Sequence, residues 1–272
     1  MSNIRVTTLE YISRDDLTES WNRCWQGYYY NMTYLPDHLR VWLYLSQVSL
    51  QHSCAIYDEN EVVGFSLLSM DGTDGWIAGT CIDPAYRCKG LFASLMRAQL
   101  NIATRLGLRQ VYLEVLEQNH ALKVYQSVGF TITRELNIYR AEKIQNYPNR
   151  SVAPFFLEPI SVEQYFVSRR NSFFHPSWQR REGYLRRYGH CLAVLNLAGT
   201  AGALFAGENN VPLLDVWSTT PAGAEEVIST VLSQLNTSFS LTNQPEDWIA
   251  AYLSAQGIRP SAKQFEMCVL LT

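Results

Sequence analysis

The first third of the chain combines stretches with period-two alternation and stretches with helical spacing of apolar residues, which predicts a mixed domain of strands and helices. Residues 4–9 alternate apolar and polar side chains, as a half-buried strand does. The polar run 58–61 lies between two strand-like runs, which predicts a hairpin. The elements predicted up to residue 82 are strand 4–9, helices 15–29 and 37–46, and strands 52–57, 62–69 and 76–82.

A long amphipathic helix is predicted to begin at Leu91. Its apolar stripe consists of Leu91, Leu95, Ala98 and Ile102, which recur at the 3.6-residue spacing of an α-helix. Gly107 can adopt the left-handed conformation that ends many helices. The elements predicted after it are strand 110–115, helix 119–127 and strand 130–139.

The second half repeats the order of elements found in the first. Segment 142–154 is polar, contains two prolines and lacks periodicity, so it is predicted to be a linker. The elements predicted beyond it are helix 162–170, strands 191–197, 201–205 and 213–217, helix 224–235, strand 238–241, helix 246–255 and strand 264–271. Such self-similarity indicates duplication. We therefore predict an α/β (α+β) protein with domains at 1–141 and 155–272, each a mixed, mostly antiparallel twisted sheet flanked by helices.

Composition restricts the environment and the partners. Of 272 residues, 47% are apolar and 17% charged, which suits a sizeable core and excludes a disordered chain. The net charge of −3 argues against nucleic acid as a partner, and no apolar run approaches the ~18 residues of a membrane span. The six cysteines lack metal-ligand spacing, so free thiols and no metal are expected. We expect a cytoplasmic protein that is a monomer or homodimer.

The stretch from Ile82 to Ala93 is the first that indicates chemistry. An apolar strand ends at Pro84, and a turn with Arg87, Lys89 and Gly90 opens the long helix. A helix start presents unpaired N–H groups and the positive end of the helix dipole, which together bind phosphate. The stretch therefore predicts a pyrophosphate site at residues 87–93. A solvated basic turn is the alternative.

A second stretch, residues 119–130, follows directly on the predicted strand 110–115. Asn119 suits a helix N-cap, and Gly129 suits the helix end. Tyr125 lies between them on the apolar face. A phenol with a pKa of about 10 can protonate a departing thiolate, although a tyrosine in this position can equally be a core aromatic.

Together these stretches resemble the GNAT superfamily of N-acetyltransferases over roughly residues 5–140. The family's phosphate-binding signature, (Gln/Arg)-x-x-Gly-x-(Gly/Ala), is met by Arg87 and Gly90. Its second motif is met by Asn119, Ala121, Tyr125, Gly129 and Phe130. One position departs from the signature, because Phe92 stands where the family has Gly or Ala. Its side chain is expected to turn away from the phosphates.

The resemblance implies acetyl-CoA as co-substrate, held between strands 76–82 and 110–115, which would separate to admit it beside a bulge at Gly79. Asn119 would contact the cofactor near its pantetheine or thioester end, and Tyr125 would protonate the CoA thiolate. Backbone groups of Cys81 and Ile82 would pair with the pantetheine arm. The pyrophosphate would be held by the amides of Arg87, Cys88, Lys89, Gly90, Leu91, Phe92 and Ala93.

The general base and the acceptor site are less specified by the sequence. Glu114, on the strand beside the cofactor, is the candidate base, and Glu117 just beyond the strand is an alternative. An aromatic loop between the first two helices is the candidate wall for an amine acceptor, through stacking or cation–π contact. Core packing of these rings is the alternative. The loop residues are Trp25, Tyr28, Tyr29, Tyr30 and Tyr34.

At the corresponding junction of the second half, residues 215–226 contain no basic residue. Glu225 and Glu226 are predicted in the first helical turn, where they would repel a pyrophosphate. This half resembles the degenerate second domain of tandem GNAT proteins, the mycothiol-synthase-like arrangement, and is expected to be silent.

The function expected from these residues and this resemblance is acetyl-CoA-dependent acetylation of a small-molecule amine by direct attack on the thioester. Two alternatives remain. The acceptor could be a protein or peptide amine, or the chain could be a non-catalytic CoA-binding regulatory module.

Overall fold

A computed structural model of the chain describes residues 4–142, 155–172, 174–207, 213–234 and 238–271. The chain forms two compact units, the first made of residues 1–133 and 266–272 and the second of residues 134–265. The bounds of these units differ from those of the predicted domains 1–141 and 155–272, because residues 266–272 belong to the first unit and residues 134–141 belong to the second. The predicted linker 142–154 lies, apart from Glu142, outside the described residues.

The first unit follows the predicted order of strands and helices. Its elements are β1 (Ile4–Thr8), α1 (Arg14–Cys24), α2 (Pro36–Leu45), β2 (Cys54–Asp58), β3 (Glu61–Asp71), β4 (Asp74–Ile82), α3 (Leu91–Arg105), β5 (Gln110–Leu116), α4 (Ala121–Ser127) and the first residues of β6 (Thr131–Glu142). Helix α1 begins at Ser13, whose hydroxyl accepts a hydrogen bond from the Asp16 amide, as an N-cap does. It ends before the predicted residue 29, because Gly27 at φ 73° turns the chain.

The sheet of the first unit has the strand order β1-β2-β3-β4-β5. The first four strands are antiparallel, whereas β4 and β5 are parallel and are connected across the sheet by α3, as parallel strands require. Neighbouring residues of a strand point to opposite faces. One face packs on α3 through a cluster around Leu95, and the other packs on α1 and α2 through a cluster around Trp21.

The second unit repeats the order of the first, which confirms the predicted repetition. It begins within β6, and its further elements are β7 (Leu157–Ile160), α5 (Val162–Asn171), α6 (Glu182–Leu185), β8 (Cys191–Asn196), β9 (Ala201–Ala206), β10 (Leu213–Ser218), α7 (Pro221–Gln234), β11 (Ser238–Pro245), α8 (Trp248–Ala255) and the first residues of β12 (Ala262–Leu270). Strands β7 to β10 form an antiparallel sheet in the order β10-β9-β8-β7. Strand β11 pairs antiparallel with β6.

The last strands of the two halves are exchanged. In the first unit β5 has β12 as its neighbour, while in the second unit β11 has β6. The hydroxyl of Thr133 donates to the carbonyl oxygen of Glu266, and the amide of Leu271 donates to the carbonyl oxygen of Arg109. Periodicity indicates which face of a strand is apolar, but it does not indicate which strand lies beside it. Strand β12 was therefore predicted to lie wholly in the second domain.

Helix α7 starts earlier than predicted, and this corrects the placement of two carboxylates. It begins at Pro221 instead of residue 224, because proline is well suited to the first helical position and the Thr220 hydroxyl accepts a hydrogen bond from the Gly223 amide. Glu225 and Glu226 therefore lie in the second turn. The Glu226 carboxylate accepts a hydrogen bond of 2.7 Å from the side chain of Asn196.

The exchange makes a prediction about truncation. A chain that ends at residue 142 lacks β12, so β5 would expose a row of unpaired backbone groups, which promotes aggregation. We expect fragment 1–142 to aggregate when expressed alone, and co-expression with fragment 143–272 to restore a soluble complex. Size-exclusion chromatography and circular dichroism test this. A monomeric fragment 1–142 that unfolds cooperatively would contradict it.

Candidate active site

Strands β4 and β5 pair only at one end. Their parallel ladder joins residues 74–76 to residues 110–112 and then stops. Strand β3 stays beside β4, with a shift of register that leaves Ala78 as an extra residue, since Leu67 pairs with Gly79 and Leu68 with Ile77. The expected separation of the strands and the expected bulge next to Gly79 are confirmed. A gap results between residues 77–82 and residues 113–116.

The register shows which backbone groups of β4 face this gap. The Asp83 amide donates to the Val63 carbonyl oxygen, and an antiparallel ladder alternates between bonded and non-bonded pairs. Thr80 and Ile82 therefore turn their N–H and C=O groups toward the gap, whereas Cys81 turns its own toward β3. This corrects the expected role of the Cys81 backbone and adds Thr80, a residue that sequence analysis missed. Residues two positions apart on a strand orient their backbone groups to the same side, so Thr80 could have been predicted from Ile82.

Thr80 and Cys81 also differ in their side chains. The Thr80 hydroxyl is buried and has no hydrogen-bond partner among the described residues. Burial and a hydrogen bond with the thiol of Cys24 raise the pKa of the Cys81 thiol well above its ordinary value. Cys81 is consequently an inert thiol of the core, whereas Thr80 turns its backbone groups toward the gap.

The loop after β4 presents a row of unpaired amides. Cys88 and Gly90 have left-handed backbone, at φ 62° and 72°, and Gly90 immediately precedes α3. Among the described residues no acceptor is found for the amides of residues 88–93. The last three of these belong to the first turn of α3, which has no internal acceptors. The loop can therefore hold an anion at the positive end of the α3 dipole.

Asp83 fixes the start of this loop. Its buried carboxylate accepts a hydrogen bond of 2.8 Å from the Ala85 amide and forms an ion pair with Arg23, at 2.7 Å between Nε and Oδ2. Arg23 also donates to the Val62 carbonyl oxygen at 2.6 Å. These bonds tie the loop to α1 and β3.

The side chain of Arg87 has a structural use. Its guanidinium donates to the carbonyl oxygens of Ile82 at 3.0 Å, Cys24 at 3.0 Å and Gln26 at 2.8 Å. Cys24 is the last residue of α1, and Gln26 lies two residues beyond it. Lys89 donates to the Ala85 carbonyl oxygen at 3.0 Å. The loop thus offers its backbone groups to an anion, while Arg87 holds the loop in place.

Phe92 and Tyr125 are in contact. Their rings meet edge to face with centroids 5.4 Å apart, and Tyr125 meets Phe130 in the same way at 5.8 Å. Phe92 also packs against the cluster around Leu95. The Phe92 ring is directed into the core, so its amide can face the loop although the side chain is large.

Tyr125 is 6% exposed, and its hydroxyl has no hydrogen-bond partner among the described residues. Burial raises the pKa of Tyr125 far above its ordinary value, with smaller contributions from the phenol of Tyr28 and the thiol of Cys81. The phenol is therefore fully protonated at neutral pH. The influence of Cys81, on β4, and of Tyr28, in the α1–α2 loop, shows that both lie near the Tyr125 hydroxyl.

The α1–α2 loop meets the turn between β5 and α4. The Tyr29 hydroxyl donates to the Gln118 carbonyl oxygen at 2.9 Å. Burial raises the pKa of Tyr28 to about 12, although a side-chain hydrogen bond with Asn119 lowers it. The side-chain oxygen Oδ1 of Asn119 accepts from the Ala121 amide at 2.9 Å. Helix α4 begins at Ala121 instead of the predicted residue 119, and Asn119 supports it from outside.

The same loop surrounds a cavity of about 290 Å³. The cavity is lined by uncharged residues, among them Trp25, Tyr28, Tyr29 and Tyr30. The buried indole N–H of Trp25 has no partner among the described residues. Tyr34 is not part of the lining and packs on Trp21, with ring centroids 5.6 Å apart. For Tyr34 the alternative of core packing holds.

Glu114 lies on the part of β5 that has separated from β4. Its carboxylate accepts a hydrogen bond of 2.6 Å from the indole of Trp76, so its orientation is fixed. Trp76 pairs with Ser69, whose hydroxyl donates to the carbonyl oxygen of Ser46 after α2. The carboxylate therefore lies on the face of the sheet that α1 and α2 cover. Glu117, the alternative base, is exposed in the turn after β5.

Comparison with known families identifies this arrangement. Residues 8–130, which include the gap, the loop and Tyr125, match the model of the acetyltransferase (GNAT) family. Residues 8–130 form a GNAT acetyltransferase domain. Acetyl-CoA is the acetyl donor of this family.

Solved structures extend the similarity of fold beyond the GNAT domain. A Pyrococcus horikoshii protein with an acetyltransferase assignment shares 13% identity over 100% of this chain and 91% of its own, at a TM-score of 0.68. A tandem GNAT protein of the clavulanic acid biosynthesis pathway shares 12% over 98% of both chains, at 0.65. A GCN5-related N-acetyltransferase from Sphaerobacter thermophilus shares 10% over 98% and 95%, also at 0.65. None of the curated proteins compared matches the chain.

Among the described residues, no group of three His, Cys, Asp or Glu side chains is arranged to hold a metal ion. None of the described helices combines the length and the apolar character that crossing a bilayer requires.

The contacts of Arg87 lead to a prediction about the GNAT domain without its cofactor. Arg87→Met removes three hydrogen bonds to carbonyl oxygens of a partly exposed site, so the free energy of unfolding should fall by about 1–2 kcal/mol. Lys89→Met, which removes one exposed bond, should change it by less than about 0.5 kcal/mol. Chemical denaturation of the ligand-free variants tests this. Equal stability of the Arg87 variant and the wild type would contradict the anchoring role.

Proposed function

We propose that the chain transfers the acetyl group of acetyl-CoA to the amine of a small molecule, at a single site in the first unit. The proposal is carried by one juxtaposition. The gap between β4 and β5 leads from the amide-lined loop at residues 88–93 to the buried, protonated phenol of Tyr125. A pyrophosphate on the loop and a pantetheine arm in the gap would bring the thioester to this phenol.

The cofactor contacts follow from the backbone. The amides of Cys88, Lys89 and Gly90, with those of Leu91, Phe92 and Ala93, would hold the pyrophosphate, and Arg87 would keep the loop in shape. The N–H group of Ile82 and the N–H and C=O groups of Thr80 would pair with the pantetheine arm, while the Ile82 carbonyl oxygen accepts from Arg87. Asn119 would contact the arm near the thioester, with its position set by the Ala121 amide.

The reaction is direct attack of the amine nitrogen on the thioester carbonyl carbon. The C–N bond forms and the C–S bond breaks, and the CoA thiolate takes its proton from Tyr125. The amine must arrive uncharged or lose a proton. Glu114, oriented by Trp76 at 2.6 Å, is the proposed acceptor of that proton, directly or through water.

The aromatic cavity supports a small acceptor. Its volume of about 290 Å³ lies at the lower end of the range of small-molecule sites, and its aromatic lining suits an amphipathic or ring-bearing amine. A protein or peptide amine is the second candidate acceptor. A CoA-binding module without turnover is the third possibility, and the position of the Tyr125 phenol beside the gap favours catalysis over it.

The test is release of free CoA thiol from acetyl-CoA across a panel of amines, with peptides of varied N-termini and lysine content in parallel arms. We expect thiol release that depends on a small, ring-bearing amine and yields the N-acetylated product by mass spectrometry. Turnover with peptides alone would replace the small-molecule proposal. Saturable acetyl-CoA binding without turnover in any arm would favour the regulatory module.

Gly90→Val should raise the Kd for acetyl-CoA by at least about tenfold. At φ 72° a branched residue is strained, so the loop would abandon the geometry that points its amides at the pyrophosphate. Gly72→Val is the matched control, because Gly72 has φ 60° in the β3–β4 turn and, like Gly90, no atom within 4 Å of an added Cβ. Calorimetry on both folded variants tests this. Equal affinities in the two variants would count against the loop as the phosphate site.

Tyr125→Phe should lower the turnover number by at least about tenfold, since general acid catalysis contributes ~10²–10⁴-fold. The Kd for acetyl-CoA should change little, because the ring and its contacts with Phe92 and Phe130 remain. Tyr57→Phe, which removes a phenol on β2, is the control. Single-turnover rates are the measurement, since slow product release can hide a chemical effect. Wild-type rates in the folded Phe variant would remove Tyr125 from the mechanism.

A further inference from the structure

In the second unit, β10 and β11 occupy the places in the element order that β4 and β5 occupy in the first. Strand β10 pairs with β9 and β11 pairs with β6, and in the described part of the chain no ladder joins β10 to β11, although the two strands approach each other. The separation that is partial in the first unit is thus complete here. Each strand has an edge whose backbone groups need partners.

The side chain of Arg180 lies between these two strands. On the β10 side, its Nε donates to the carboxylate of Asp215 at 2.7 Å and its Nη2 donates to the carbonyl oxygen of Val216. On the β11 side, its Nη1 donates to the side chain of Gln244 at 2.6 Å and to the carbonyl oxygen of Asn243 at 3.4 Å. One planar guanidinium therefore bridges strands that do not bond to each other.

Strand β11 is shaped to receive it. The register between β11 and β6 shifts between Leu241 and Gln244, and within this bulge Asn243 has left-handed backbone at φ 56°. Asparagine tolerates this conformation better than most residues. The Asn243 carbonyl oxygen also accepts a hydrogen bond from the Ser177 hydroxyl at 3.2 Å, so the turned carbonyl has two donors.

The charge of Arg180 is paired with a buried carboxylate within the cleft. Arg180 is 1% exposed and Asp215 is fully buried. Burial raises the pKa of Asp215, but the guanidinium groups of Arg180 and Arg169 lower it more, so the pKa stays below its ordinary value. Arg169 donates to Asp215 Oδ2 at 2.5 Å, and the Tyr165 hydroxyl donates to the same oxygen at 2.8 Å. The carboxylate is ionised, and its lone pairs are used by three groups, two of them on α5.

We propose that the cleft between β10 and β11 is a guanidinium-binding site, and that Arg180 is its built-in ligand. The cleft matches a planar cation with N–H groups on both sides, because it offers two carbonyl oxygens, one amide oxygen and one carboxylate. A bound guanidinium leaves no room for a pantetheine arm between the strands. The comparison with the gap between β4 and β5 rests on the proposed function. The binding of guanidinium between β10 and β11 does not rest on it.

The test is chemical rescue of Arg180→Ala. The variant leaves three buried oxygens of β10 and β11 short of a donor, while Asp215 keeps its ion pair with Arg169. The melting temperature should therefore fall by roughly 6–15 °C. Millimolar guanidinium or methylguanidinium chloride should then raise it by at least about 2 °C over sodium chloride at equal ionic strength, in a saturable manner. Arg180→Lys, which keeps the charge and loses the planar fork, should remain destabilised.

The control for rescue is Arg170→Ala. Arg170 is exposed and forms an ion pair with Glu182, so its loss opens no cleft and guanidinium should give no specific stabilisation. Equal responses of the Arg180 and Arg170 variants, or a response no larger than that to sodium chloride, would overturn the proposal. Absence of acetyl-CoA turnover in the wild-type protein would overturn the proposed function, but it would not affect the guanidinium rescue of the Arg180 variant.

A measurement on the wild type covers the case in which the Arg180 variants do not fold. The Nε proton of a guanidinium held on both sides in the core should exchange with solvent at least about tenfold more slowly than that of Arg170. Exchange of arginine Nε protons by nuclear magnetic resonance reads both sites in one sample. Exchange of Arg180 as fast as Arg170 would show that the cleft does not hold it.

Discussion

The structure depends on a parallel pair of strands that separates after three residues. In the first unit β4 and β5 bond only over residues 74–76 and 110–112, and the remainder of each strand is left with backbone groups that water or a ligand must satisfy. The bulge at Ala78 and the crossover through α3 fix where the separation begins. The buried phenol of Tyr125 is then held beside the open stretch by α4, the helix that follows β5. The gap is therefore a consequence of the pairing of the sheet.

The two halves meet this constraint in different ways. The first half leaves the cleft open, and its loop after β4 keeps six amides unpaired while Arg87 bonds to the carbonyl oxygens around it. The second half closes its cleft with the guanidinium of Arg180 and compensates the charge with Asp215. A buried cation is costly unless it is paired and hydrogen-bonded, and here it has both. The same topology thus gives an open cleft in one half and a filled one in the other.

The sequence predicted nearly every element, but it could not predict the neighbours of the strands. Period-two and period-3.6 patterns record which faces are apolar, so β4, α3 and β5 were found close to their observed bounds. The exchange of β6 and β12 is a matter of pairing, which leaves no mark in periodicity. Motif spacing found the Gly90 loop and Tyr125. It missed Thr80, whose backbone orientation follows from the register with β3. It also counted the Arg87 amide among the phosphate donors, although that amide bonds to the Pro84 carbonyl oxygen.

The departure at Phe92 has a physical reason in the same set of contacts. A small residue in the first turn of α3 would leave space beside Tyr125, whereas the Phe92 ring fills it and meets the phenol edge to face at 5.4 Å. Phe130, which follows α4, contacts the Tyr125 ring from another side, with ring centroids 5.8 Å apart. Burial is the largest cause of the raised pKa of Tyr125, and Phe92 contributes to that burial. The substitution that departs from the phosphate-binding signature therefore packs against the phenol ring and contributes to its burial where the gap ends.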